Sequence, residues 1–271
     1  MDATISSIIA ICIILAGTTI GSLCVFFVNK VNDKFSSIIL GISAGVMMSA
    51  AIFGLLIPAI NESTKEGCVY AVNHISFLPP LVGFILGGLL LWGLDKVTPH
   101  MHLVTGQAEG REGKKISKEG KFILAVTIHN IPEGLSVGFA AGLALANPGN
   151  SSYAFAVLAL GIGIAIQNIP EGLAVSVPLY SKGEKKSKSF LYGFLSGVVE
   201  PIAAVIGLFI ASNSGVVTPW LLSFAAGAMM YVLLDDLIPE SRKKGFEHFA
   251  LWSFMIGFAI MMTLELVLSN F

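Results

Sequence analysis

Charged residues make up only 12 % of this 271-residue chain, against about 25 % in a typical soluble domain. Too few polar groups remain to cover a water-facing surface, which excludes an ordinary soluble fold. A basic surplus is also missing. Sixteen Lys and Arg against seventeen Asp and Glu give a net charge of −1, so nothing matches a phosphate backbone and nucleic acid is not an expected partner. The three cysteines, Cys12, Cys24 and Cys68, are scattered and form neither a disulfide framework nor a paired-cysteine zinc motif. There is no GxxxxGK[ST] motif for an ATP-driven pump and no HExxH motif for a zinc hydrolase. What abounds is apolar: 55 % hydrophobic residues, a mean hydropathy of +0.82, and 29 glycines, a residue enriched in transmembrane helices.

Eight apolar runs approach the roughly 20 residues that cross a bilayer. They cover approximately 4–28, 35–60, 77–96, 122–146, 153–179, 190–211, 219–240 and 248–269. The chain is therefore expected to be an all-α integral membrane protein, a single transmembrane domain over 1–271, with one long polar loop at 97–121. The opening MDATISS has no basic residue before the first run, so a cleaved signal is not expected. Of the 16 Lys and Arg residues, 15 fall in the loops after the first, third, fifth and seventh runs, and only Lys65 lies on the other face. The positive-inside rule then puts those loops in the cytosol and both termini outside, extracellular or periplasmic. Glu62, Glu66, Asp2 and Glu265 outweigh Lys65 on that outer face, a mild attraction for cations.

Two motifs recur in helices of opposite direction. AGVMMSAAIFGLLIPAINES (44–63) runs outward and AGAMMYVLLDDLIPES (226–241) runs inward. HNIPEGLSVG (129–138) and QNIPEGLAVS (167–176) share NIPEGL and are likewise opposed. Repeats of inverted direction are a transporter device. The paired methionines Met47, Met48, Met229 and Met230 are expected mainly in the core, with a gate as the other reading.

Three acids fall near mid-span, Glu133, Glu171 and Glu200, with no Lys or Arg at that depth. Charge there is costly and marks function by default. At about 100° per residue, His129, Asn130 and Glu133 share one helix face, and Gln167, Asn168 and Glu171 repeat the array. Imidazole with carboxylate and amide oxygens and no thiolate suits zinc or another first-row divalent ion. Ser136 and Ser176 stand near as supporting hydroxyls. Pro132 and Pro170 inside the arrays, and Pro201 after Glu200, each remove a backbone hydrogen bond. Broken helices are expected there, since irregular backbone at membrane depth lines polar cavities.

These residues resemble the ZIP family of divalent-metal transporters, in particular its bacterial GufA-like branch. The likeness rests on HNIPEG (129–134), QNIPEG (167–172), Glu200-Pro201 and the paired AG…LIP helices, and it spans essentially the whole chain. It implies eight spans in a 3 + 2 + 3 arrangement and a two-metal site. One metal would take His129, Glu133, Gln167 and Glu171, and its neighbour Asn130, Glu133, Asn168, Glu171 and Glu200. Many relatives have His at Gln167, and some have Asp at Asn168. The substitutions leave looser binding, broader selectivity or a single tightly held metal as alternatives. The resemblance also implies a homodimer, elevator-like movement and a cytosolic exit station. Asp95, His100 and His102 are candidates for that station, with Asp235, Asp236 and Glu240, where a helix C-terminus disfavours carboxylates. His74 and His248 read as ordinary surface residues.

The expected function is secondary import of Zn²⁺, with Fe²⁺, Mn²⁺, Co²⁺ and Cd²⁺ as further cargo, across a bacterial inner or plasma membrane. Partners are then the metal cations and the bilayer, the metal is cargo and no cofactor is expected. An intramembrane zinc enzyme is the alternative from another class, and a metal-selective channel is a third reading.

Overall fold

The computed structural model describes residues 2–28, 32–97, 100–101, 108–109, 118–181, 183–211 and 216–269. Helices dominate. They are α1 (Ala3–Leu23), α2 (Asp33–Ser49), α3 (Ile57–Thr64), α4 (Val69–Val72), α5 (Leu78–Val97), α6 (Lys118–Ala146), α7 (Ser151–Ser181), α8 (Lys186–Ala211), α9 (Thr218–Val232), α10 (Ile238–Ser241) and α11 (Glu247–Ser269). The exception is a two-residue antiparallel pairing of His100–Met101 with Ala108–Glu109. Among the described residues, six segments are long and apolar enough to cross a membrane: Ala3–Phe26, Asp33–Thr64, Ser151–Ser181, Lys186–Ala211, Thr218–Ser241 and Glu247–Leu268. Leu78–Leu94 is a shorter apolar stretch.

The distribution of polarity is that of a lipid-embedded molecule. Trp252 and Phe209 are 71 % and 67 % exposed, while Asn130, Asn168 and Glu200 are each 0 % exposed. In water this arrangement would bury the costly groups and expose the apolar ones. In lipid it is the stable one, and the chain is a multi-pass membrane protein.

Helix ends follow local chemistry. Asp2 caps α1, accepting from the Thr4 and Ile5 backbone N–H groups at 2.8 and 3.0 Å. The Ile5 N–H, with that of Thr4, holds the Asp2 carboxyl below the usual carboxylate range. Asn32 caps α2 by accepting from Phe35 N–H at 2.7 Å. The repeated LIP motifs have a visible consequence. A proline frees the carbonyl four residues back, and before Pro58 and Pro239 the helix widens into i→i+5 bonding, over Ala50–Leu56 and Leu233–Leu237. These wide turns join α2 to α3 and α9 to α10 as continuous rods.

The breaks expected at Pro132 and Pro170 are not present. Both α6 and α7 run helical through those residues. Both prolines are followed by close helix contacts. A Cβ at Gly134 would overlap the carbonyl oxygen of Glu200 on α8, and one at Gly172 would overlap that of Thr18 on α1. Only glycine lets backbones approach so closely.

Four pairs carry the most extensive contacts: α1 with α7, α6 with α8, α2 with α11, and α5 with α9. The first two pairs also touch each other, through α1 with α8, α6 and through α7 with α6, α8, and so form one bundle. Met47 and Met229 lie in the central apolar cluster, with Met48 and Met230 packed on it. Core packing accounts for all four.

Candidate metal site

Glu133, Gln167 and Glu200 sit near the middles of α6, α7 and α8, where the three helices meet within that bundle. No Lys or Arg occurs anywhere in 122–181 or 189–241, so the acids have no basic neighbour along their helices. Gln167 and Asn168, adjacent on α7, link Glu133 on α6 to Glu200 on α8.

Amide hydrogen bonds arrange the acids. Gln167 Nε2 donates to Glu133 Oε1 at 2.7 Å. Asn168 Nδ2 donates to Glu200 Oε2 at 2.6 Å, and to the Ile14 carbonyl on α1 at 3.2 Å. Asn130 Nδ2 donates to Glu200 Oε1 at 3.2 Å and to the Ser196 carbonyl at 3.1 Å. Each amide nitrogen is thus turned to a carboxylate, which points the amide oxygen the other way. The result is five buried acceptor oxygens with no hydrogen-bond partner: Asn130 Oδ1, Glu133 Oε2, Gln167 Oε1, Asn168 Oδ1 and Glu171 Oε1. Buried polar atoms are normally paired, and an orphaned one costs about 1–3 kcal/mol. Five from one cluster form a set of hard donors of the kind that a divalent cation satisfies.

Of the seven expected ligands, five fall in two hydrogen-bonded groups, Glu133 with Gln167 and Asn130 and Asn168 with Glu200, and Glu171 keeps a buried oxygen without a partner. The seventh, His129, turns its Nδ1 to Asp236 Oδ2 on the wide turn after α9, at 3.2 Å. Asp236 had been grouped by sequence with the exit station, so the structure joins one member of each expected site. Asp235 lies beside it on the same wide turn, and Glu240 is buried in α10. Asp95 and His100 are described only in their backbones, and His102 lies outside the described residues. Among the described residues, no three His, Cys, Asp or Glu side chains converge as a metal-holding group. Amides contribute three of the five free oxygens, so the set is rich in neutral ligands.

Ser136 donates to the Glu133 backbone carbonyl at 2.6 Å, steadying the helix rather than the carboxylate. Ser176 is buried with its hydroxyl unpaired. His74 and His248 are both on the surface. One residue escaped the sequence reading. Thr18 on α1 donates its hydroxyl to Glu200 Oε1 at 2.8 Å, and a threonine in an apolar helix, next to another threonine, carries no motif to announce it.

Comparison with known proteins meets the same residues. The family model described as ZIP Zinc transporter matches residues 121–265, which contain the whole cluster on α6, α7 and α8. The chain belongs to the ZIP family. It is 35 % identical to the zinc transporter GufA of Myxococcus xanthus over 257 residues, covering 94 % of this chain and 96 % of that one. It is 36 % identical to the zinc transporter ZupT of Clostridium perfringens, covering 92 % and 91 %. It is also 33 % identical to the zinc transporter ZIPB of Bordetella bronchiseptica, covering 93 % and 78 %. These relatives are transporters, not enzymes, which sets aside the intramembrane zinc hydrolase.

Proposed function

We propose that this ZIP protein is a secondary transporter that carries Zn²⁺, and with lower discrimination Fe²⁺, Mn²⁺, Co²⁺ and Cd²⁺, into the cytosol of a bacterium. The observation that carries the reading is the set of five orphaned oxygens among Asn130, Glu133, Gln167, Asn168 and Glu171. A dehydrated divalent cation supplies what they lack. Carboxylates supply charge, and the neutral amides keep the site from binding so tightly that release fails. Borderline ions share such oxygen-rich sites, which supports the broad cargo range. Glu133 and Glu171 lie between two adjacent metal positions, one completed by His129 and Gln167, the other by Asn130, Asn168 and Glu200.

The transport cycle follows from the layout. The bundle of α1, α6, α7 and α8 moves as a body against the rods α2/α3, α5, α9/α10 and α11, in an elevator-like exchange of access. Support comes from the symmetry of contacts. Exchanging α1 for α8, α2 for α9, α5 for α11 and α6 for α7 maps the four dominant pairs onto one another, as inverted repeats would. Eight spans in a 3 + 2 + 3 arrangement, with both termini outside, complete the topology. Lys34, Lys96 and Lys186 lie over the rings of Phe249, Trp92 and Tyr180, at 4.4, 3.9 and 5.0 Å, all at the end assigned to the cytosol. His129 with Asp236 forms the step from the site toward that end, where Asp235 and Glu240 follow on the same rod; Asp95, His100 and His102 remain the sequence's further candidates for the exit station. The oligomer is a homodimer, and the metal is cargo rather than a cofactor.

Uptake of Zn²⁺ into proteoliposomes tests the reading. The parent protein accumulates metal saturably, and Glu133→Ala and Glu171→Ala lose uptake by more than about tenfold while remaining folded. Parental rates in both variants would remove the site.

A further inference from the structure

The two repeated glycines of the NIPEGL motifs perform the same task on different helices. Gly134 seats α8 at the carbonyl of Glu200, and Gly172 seats α1 at the carbonyl of Thr18. Thr18 thus holds, relative to α7, the place that Glu200 holds relative to α6. The two side chains meet, Thr18 Oγ1 donating to Glu200 Oε1 at 2.8 Å. Thr18 is wholly buried. A Cβ at Gly197 would overlap its Cβ and Cγ2, so the side chain lies tight against α8. One turn earlier on the same face, the Ile14 carbonyl accepts from Asn168.

We infer that Thr18 is a positioning residue of the divalent-cation site, acting through Glu200; the inference rests on the metal site proposed above. A carboxylate that ligates a metal needs a second, outer donor to fix its plane. Asn130 and Asn168 also donate to Glu200, yet both offer their own oxygens to the cation and must be free to adjust. Thr18 carries no further ligand role and belongs to a different helix. It pins Oε1, so the carboxylate plane stays set while Oε2, held by Asn168 at 2.6 Å, turns to the metal as that amide adjusts. The first helix, which contributes nothing to either motif, becomes the back wall of the site.

Zinc uptake by the full-length protein in proteoliposomes, with Thr18→Val, Thr18→Ser and Thr18→Ala, tests this. Valine keeps the shape and removes the donor, and serine keeps the donor. The expected result is a KM for Zn²⁺ raised about tenfold in Thr18→Val, with a smaller change in maximal rate and a parental melting temperature, and recovery to within about twofold in Thr18→Ser. Should the valine variant fail to fold, the contrast of Thr18→Ala with Thr18→Ser reads the same quantity. A parental KM in Thr18→Val, or Thr18→Ser as impaired as Thr18→Val, overturns the inference. Glu133→Ala, run alongside, separates the two claims. If it transports like the parent, the site itself fails, whatever Thr18 does.

Discussion

The side-chain amide of Gln167 on α7 donates to the carboxylate of Glu133 on α6 at 2.7 Å, and its oxygen is left buried without a partner. An amide oxygen therefore stands at the position where an imidazole nitrogen would favour zinc. Gln167→His is expected to lower the KM for Zn²⁺ several-fold while leaving that for Mn²⁺ within about twofold, because imidazole suits Zn²⁺ and Mn²⁺ prefers oxygen. Competition between the two ions in an uptake assay measures it. Equal shifts for both metals would show that residue 167 does not contact the ion.

Asn168 is the donor that steadies Glu200 Oε2 at 2.6 Å. Asn168→Asp removes that donor and sets a second carboxylate beside the first. The metal-free protein should melt at lower temperature, since loss of a buried partner costs about 1–3 kcal/mol. Saturating Zn²⁺ should restore the melting temperature or raise it above the parent's. A variant as stable as the parent in chelator would mean that the Asn168 contact with Glu200 contributes nothing.

Glycines in the helices separate into seated and free. A methyl at Gly134 strikes the Glu200 carbonyl oxygen and the Ala203 side chain, whereas one at Gly93 meets nothing within 4 Å. Gly134→Ala is expected to push α8 from α6, destabilise the protein by about 1–3 kcal/mol and abolish uptake. Gly93→Ala should be silent in both melting and uptake assays. Equal effects would mean that α6 and α8 are not held at this distance in the membrane.

Much of this architecture could be read directly from residues. The spacing of apolar runs and the doubled NIPEGL each report a constraint that acts locally along the chain. Glu133, Glu171 and Glu200 were conspicuous because carboxylates are rare at that depth. Other features needed three dimensions. Thr18 sits in GTTIGS with nothing to distinguish it from Thr19, yet Thr19 bonds the Leu15 carbonyl of its own helix while Thr18 reaches Glu200. His129 shares the face of Glu133 by helical arithmetic, but the wide turn before Pro239 brings Asp236 to it. The prolines misled in the same way. Pro132 and Pro170 leave the helices intact, and the irregular turns fall beside Pro58 and Pro239, because tertiary packing decides where a freed carbonyl can be accommodated.

The central claim is that the orphaned oxygens between α6 and α7 hold the transported ion. Anomalous scattering from Cd²⁺ or Zn²⁺ in crystals of the full-length protein tests it most directly. The account predicts a peak about 2.0–2.4 Å from oxygens of both Glu133 and Glu171, lost in Glu171→Ala. A transport-competent protein whose only peaks lie elsewhere, with Glu133 and Glu171 bare, would contradict it.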